Sequence, residues 1–204
     1  MKKTLTVLIL LSALLLSSCI YVSLPESSDP AIKLEEAHRY MAQGQPLAAE
    51  RLILEAIRIY ETENDPEALG NAYRDFGAFL RSPSVAQREQ TYREAGFLES
   101  SITYDNRFEK SGEYLDRAIA QYNEAANRYQ ARGRYDLLSM LYYNQASVYL
   151  LQNNTGMACT SYDQSRSAYA ESAVRNTSTK PEIPRGYSSF HEAITAAKNQ
   201  AGCQ

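Results

Sequence analysis

Three cysteines and two histidines are the side chains in this chain best suited to covalent or metal chemistry. Structural and catalytic zinc sites take three or four nitrogen, sulfur or carboxylate donors at close spacing. Here Cys19, Cys159, Cys203, His38 and His191 are scattered, and no Cys-x-x-Cys or His-Glu-x-x-His occurs. No metal and no cofactor is expected. A Cys159–His191 nucleophile pair is conceivable on residue type alone, but no catalytic motif surrounds Cys159. Gly-x-Ser-x-Gly and phosphate-cradling glycine loops are absent as well. Carboxylates such as Glu35 and Glu36, Glu61 and Glu63, and Asp65 and Glu67 fall where solvated helix faces and caps place them. The chain is therefore expected not to be an enzyme, with no catalytic residues.

Cys19 has a different context. Lys2 and Lys3 precede an apolar run from Leu5 to Leu16, too short to span a bilayer and of signal-peptide length, and Leu16-Ser17-Ser18 leads directly into Cys19. This string resembles the lipobox of bacterial lipoproteins. The resemblance implies removal of residues 1–18 as a signal peptide and acylation of Cys19 (palmitate-type chains) as the new N-terminus. It also implies a lipidated tether over 19–29. Ile20 stands where an Asp would favour inner-membrane retention, so the expected location is the outer membrane, lipid-anchored, periplasmic side. Several acyl chains give stable anchoring where a single one does not. An ordinary secretory signal with a chance cysteine is the alternative. In an oxidising compartment, Cys159 and Cys203 are most simply a disulfide. One buried cysteine with one free tail cysteine remains the other possibility.

The formal charge of the 204-residue chain is −3, and it falls to −5 once Lys2 and Lys3 are removed. Such an acidic balance excludes a nucleic-acid partner and leaves lipid as the route to the membrane. Sixteen tyrosines against no tryptophan suit half-buried helix surfaces, because the ring is apolar and the tip is polar.

The elements that must position these residues read as helices throughout. Asp29-Pro30 and Asp65-Pro66 each combine an N-cap with Pro at the first helical position. Helices are expected over 31–43, from Pro46, from Pro66 to Leu80, and over 84–99, 113–131, 136–151, 156–173 and 187–200. In the second, Leu47, Ala49, Ile53, Leu54, Ala56, Ile57 and Ile59 form the apolar set. Gly44, Gly133 and Asn153-Asn154-Thr155-Gly156 mark junctions, and 176–186 is a loop. No strand signal appears.

A spacing recurs. Ala37-x-x-Tyr40, Gly44, Ala49, Ile53 and Ala56 share a frame with Gly70-x-x-Tyr73 and Gly77, with Ala118, Tyr122 and Ala125, and with Ala146-x-x-Tyr149, Ala158 and Tyr162. This pattern, and the string Ala68-Leu69-Gly70-Asn71-Ala72-Tyr73, resemble the tetratricopeptide repeat (TPR), in which small residues let paired helices cross closely. The resemblance covers 30–63, 64–81 with 113–131, and 139–172. It implies an all-α fold: a TPR-like antiparallel helix-pair solenoid of about three repeats over 30–175, with 176–204 as loop and C-terminal capping helix. Residues 82–112 break the frame, as an insertion in the second repeat or as a degenerate repeat that shifts later pairing.

In TPR proteins the first helix of each pair lines a concave groove. Carried over, the groove residues are Leu34, Glu35 and His38, then Glu67, Asn71, Arg74 and Asp75, then Tyr143, Asn144 and Ser147. The basic set that clamps a peptide carboxylate is missing. The 82–112 segment holds Arg88, Arg93, Arg107 and Lys110 among Tyr92, Phe97, Tyr104 and Phe108. Tyr104 and Arg107, in its more polar part, are candidate partner-binding residues. The expected function is a non-catalytic periplasmic scaffold or adaptor lipoprotein that binds a protein or peptide and assists assembly of an envelope complex. An immunity-type lipoprotein that neutralises a periplasmic effector is the alternative, and an envelope enzyme or enzyme subunit a third possibility.

Overall fold

A computed structural model describes residues 27–175 and 181–203. The signal segment, Cys19 and most of the tether lie outside the described residues. The helices are α1 (Pro30–Ala42), α2 (Pro46–Glu63), α3 (Pro66–Leu80), α4 (Pro83–Ala86), α5 (Glu89–Ala95), α6 (Arg107–Ala131), α7 (Tyr135–Leu151), α8 (Thr155–Val174) and α9 (Phe190–Gln200). Among the described residues there is no strand, and no helix is long and apolar enough to cross a membrane.

Local chemistry starts and stops these helices. The Asp29 side chain accepts from the Ala31 N–H and Asp65 from the Ala68 N–H, each just ahead of a proline. One turn closes three helices. The N–H groups of Gln45, Arg134 and Asn154 donate to the carbonyls of Tyr40, Tyr129 and Tyr149, at 2.9, 2.9 and 2.8 Å. The preceding residue in each case, Gly44, Gly133 or Asn153, has positive φ (68°, 67° and 59°). This is the left-handed helix ending that Gly and Asn favour.

α1 packs on α2, α3 on α6, and α7 on α8, while α2 meets α3, α6 meets α7, and α8 meets α9. The pairing of α3 with α6 carries the chain across 81–106. That segment contributes Val85, Tyr92, Phe97, Ile102 and Tyr104 to the same core as α1–α3. A second, smaller cluster gathers Ala146, Ala158, Tyr162, Phe190, Ile194 and Ala197 at the C-terminal end.

The α3–α6 crossing is closest at two glycines. A Cβ on Gly70 would lie 2.7 Å from the Tyr122 ring, and one on Gly77 2.8 Å from Leu115 and 3.2 Å from the Ser111 carbonyl. Ser111 Oγ donates to the Gly77 carbonyl at 2.7 Å across the same crossing.

Several expectations need correction. The helix read over 84–99 is two short pieces, α4 and α5, and the chain leaves α5 at Gly96 with φ 75°. α6 begins at Arg107, not 113, and α9 at Phe190, not 187. Leu47, assigned to the apolar face of α2, is 50% exposed in the first turn of that helix, at the wall of an open cleft with Gly44, Arg88 and Thr91.

Candidate functional site

α1 and α3 bring together one polar cluster. His38 Nε2 lies 3.0 Å from Asp75 Oδ2, and Arg74 donates to Asp75 Oδ1 from Nε and Nη2 at 3.1 and 2.9 Å. Asp75 is buried although charged, a state that requires such partners. Burial pushes its carboxyl up, but Arg74 and His38 outweigh burial and hold it below the usual carboxylate range. The hydrogen bond to Asp75 in turn raises the His38 imidazole, against the opposing effect of burial. His38 itself is more than half exposed, so its ring presents an edge to solvent.

Asn71 stands one turn back on α3. Its Oδ1 accepts the Tyr122 hydroxyl at 2.6 Å, which fixes the amide plane. Among the described residues its Nδ2 donates to no protein acceptor. Glu67 accepts the Tyr129 hydroxyl, and burial raises its carboxyl. Glu35 is exposed and Leu34 is buried. His38, Asn71, Arg74 and Asp75 thus share one neighbourhood, with Tyr122 of α6 beneath it. Tyr122 was not among the residues assigned to a site, although its frame position opposite Gly70 was legible.

Tyr143, Asn144 and Ser147 lie elsewhere, on α7. Tyr143 is half-buried, its ring 5.6 Å from Tyr162 and 5.5 Å from Phe190. With Asn144, Met140, Glu182, Pro184 and Phe190 it lines a hollow of about 330 Å³, so the chain leading into α9 borders these positions. Ser147 Oγ donates to the Asn144 carbonyl at 2.6 Å.

Tyr104 is not the free aromatic anchor its polar surroundings suggested. It is buried, with the Arg107 guanidinium 3.7 Å from its ring centroid and Arg93 4.6 Å away. Arg107 also stacks on Phe108 at 4.1 Å and donates to the Tyr104 carbonyl at 2.6 Å, which ties it to the local fold. Arg93 is engaged by Glu89 and Asp105 at 2.7 and 2.8 Å, and Lys110 by Glu113 at 2.9 Å. Cation–aromatic stacking satisfies the ring faces that the sequence left open. Phe108, 49% exposed, is the accessible aromatic of this stack.

Cys159 and Cys203 are joined by a disulfide. Among the described residues no group of three or more His, Cys, Asp or Glu side chains is arranged to hold a metal ion. Sequence reasoning passed over Glu50, which is fully buried and accepts the Leu98 N–H at 2.7 Å. Ile53, Leu54 and Ile57 follow it at the spacing of a single helix face, but the backbone that covers it comes from 48 residues farther on.

No family model matches this chain, and neither the curated proteins nor the solved structures contain a match to it.

Proposed function

We propose that this chain is a non-catalytic adaptor, lipid-anchored through Cys19 in the periplasm, whose tandem TPR-like helix pairs hold a protein partner within an envelope complex. The observation that carries the reading is the fixed polar cluster of α1 and α3. Asn71 is clamped at its oxygen by Tyr122 and keeps its amide donor for a partner backbone. His38 and Arg74 flank it, oriented by a shared buried carboxylate. Donors held in place before binding lose little conformational freedom when a partner arrives. The successive pairings α1 with α2, α3 with α6 and α7 with α8 support the repeat reading. The Cys159–Cys203 bond supports an oxidising compartment.

Crosslinking and pull-down from intact envelopes tests the reading. Asn71→Asp keeps an acceptor for Tyr122 and deletes the amide donor. Combined with His38→Ala it is expected to reduce partner recovery about tenfold or more at unchanged helix content, the loss of one or two polar contacts. Full recovery with this variant overturns the groove assignment. In the same preparations Cys19→Ala, behind a cleavable signal, is expected to release a soluble periplasmic protein. Its retention in the outer membrane at high salt overturns the anchor.

A further inference from the structure

Glu50 of α2 has a relative exposure of 0%, and only one of its two oxygens is used. Oε1 accepts the Leu98 N–H at 2.7 Å, a bond between positions 48 residues apart that ties the 82–106 segment to α2. Oε2 is buried and has no hydrogen-bond partner among the described residues, and the same holds for the Tyr92 hydroxyl of α5. An ionised carboxylate in such a place is costly without a paired cation, and among the described residues none is bonded to it. On its own helix, Arg51 is engaged by Glu55 at 2.8 Å. From α1, Lys33 reaches α2 but is bonded to Glu55 at 2.8 Å. From α3, Asp75 faces His38, and Tyr73 donates to Glu61. From the 82–106 segment come Tyr92 and Glu99, and Glu99 is a like charge. Arg88 lies at the solvent edge of the same junction, lining an open cleft of about 480 Å³ with Leu47, Arg51 and Thr91.

We propose that Glu50 is a proton-linked latch, whose buried carboxyl holds the 82–106 segment on α2 when protonated and loosens it when ionised. Protonated, Oε2 becomes a hydroxyl donor beside an otherwise unpaired phenol, and the carbonyl oxygen still accepts from Leu98. Ionised, the group places an unpaired charge in the core, and undocking the segment lets water reach it. Burial accounts for the shift of this carboxyl from 4.5 up to about 7, which the Leu98 N–H opposes without cancelling. A carboxyl raised in the docked state binds its proton more tightly there. Docking is therefore firmest below about 4.5, weakens as pH rises from there to about 7, and levels off above. The proposal is independent of the adaptor reading, because it concerns how the segment sits on α2 whatever binds the protein.

Amide hydrogen exchange on the full mature chain, corrected for intrinsic rates, tests it. Protection of the 97–102 amides, measured against those of α8, is expected to fall by up to about a hundredfold from pH 5 to pH 8. Glu50→Gln keeps an acceptor for Leu98 and offers an amide donor to Tyr92, so its protection is expected to stay high at both pH values. An unchanged wild-type profile, or a pH dependence that survives in Glu50→Gln, overturns the latch. Carbon-13 titration of the Glu50 carboxyl in the wild type is a second check that needs no substitution. A midpoint near neutrality supports the latch, and one at an ordinary carboxylate value overturns it.

Discussion

At the residue scale, tyrosine joins the helices. Tyr73 donates to Glu61, Tyr114 to Glu99, Tyr122 to Asn71 and Tyr129 to Glu67, while their rings fill the space between helices. Tyr114, Tyr122 and Tyr129 recur every seven or eight residues along α6, so one face of that helix carries three such tips. Burial of the ring and the carboxylate it bonds raise the Tyr73 hydroxyl to about 12. These phenols stay protonated donors throughout the physiological range. The His38–Asp75 pair, by contrast, responds to pH. His38 is raised above 6.5, so its contribution is complete below that value and is lost as pH rises through the folded value. Asp75 is lowered below 3.8, so its contribution is present above that value and is lost as pH falls through the folded value. The window of full strength lies between the two. Because His38 is more than half exposed, solvent limits the pair to about 1 kcal/mol or less. The stability gap between wild type and His38→Gln in urea unfolding is expected to be largest near pH 6 and to close by pH 9. Comparing the two proteins cancels the separate titration of Glu50.

At the scale of elements, the crossing of α3 and α6 sets what the sequence must contain. Gly77→Ala is expected to destabilise the protein. Its methyl would meet Leu115 at 2.8 Å and the Ser111 carbonyl at 3.2 Å, and both residues are fully buried. Over-packing costs about 1–3 kcal/mol, against about 1 kcal/mol gained in helix propensity. The net loss should appear in thermal unfolding, and an unchanged midpoint would mean that the crossing relaxes. Helix starts at Pro30, Pro46 and Pro66 were legible because proline and the capping aspartates act locally. The start of α6 was not. A helix was expected only from 113, but Ser111 is the residue that bonds across to Gly77, and Gly112 sits where a Cβ would meet nothing within 4 Å. The polar stretch around Tyr104 misled for a related reason. Its burial depends on Arg107 and Arg93 closing over the ring, a contact that composition does not encode. Within the candidate site, His38, Asn71, Arg74 and Asp75 were legible through the repeat frame. Glu50 was not, because an isolated glutamate on a helix reads as solvated until a loop 48 residues away covers it.

At the scale of the whole molecule, the apolar residues form two bodies of unequal size, one spanning α1 to α7 with Ala168 of α8, and a smaller one where α9 meets α7 and α8. A helix of 11 residues with four buried side chains is marginal by itself. Two devices hold it. Ser189 accepts from the Glu192 N–H at its start, and the disulfide joins Cys203, just past its end, to Cys159 on α8. The bond closes a loop with a sequence separation of 44, for which chain entropy gives about 4 kcal/mol. Lys198 adds an ion pair to Asp163 at 2.6 Å. Because the smaller cluster shares few side chains with the larger one, loss of the bond should open the C-terminal end before the rest. The double variant Cys159→Ser, Cys203→Ser is therefore expected to lose hydrogen-exchange protection first in α9 and the N-terminal half of α8. α1 to α3 should keep theirs at the same denaturant concentration, and Phe190, Ile194 and Ala197 should still direct the helix to the same seat when it is closed. A uniform loss of protection along the chain would instead mean that the two clusters unfold as one unit, with the disulfide acting on the whole molecule.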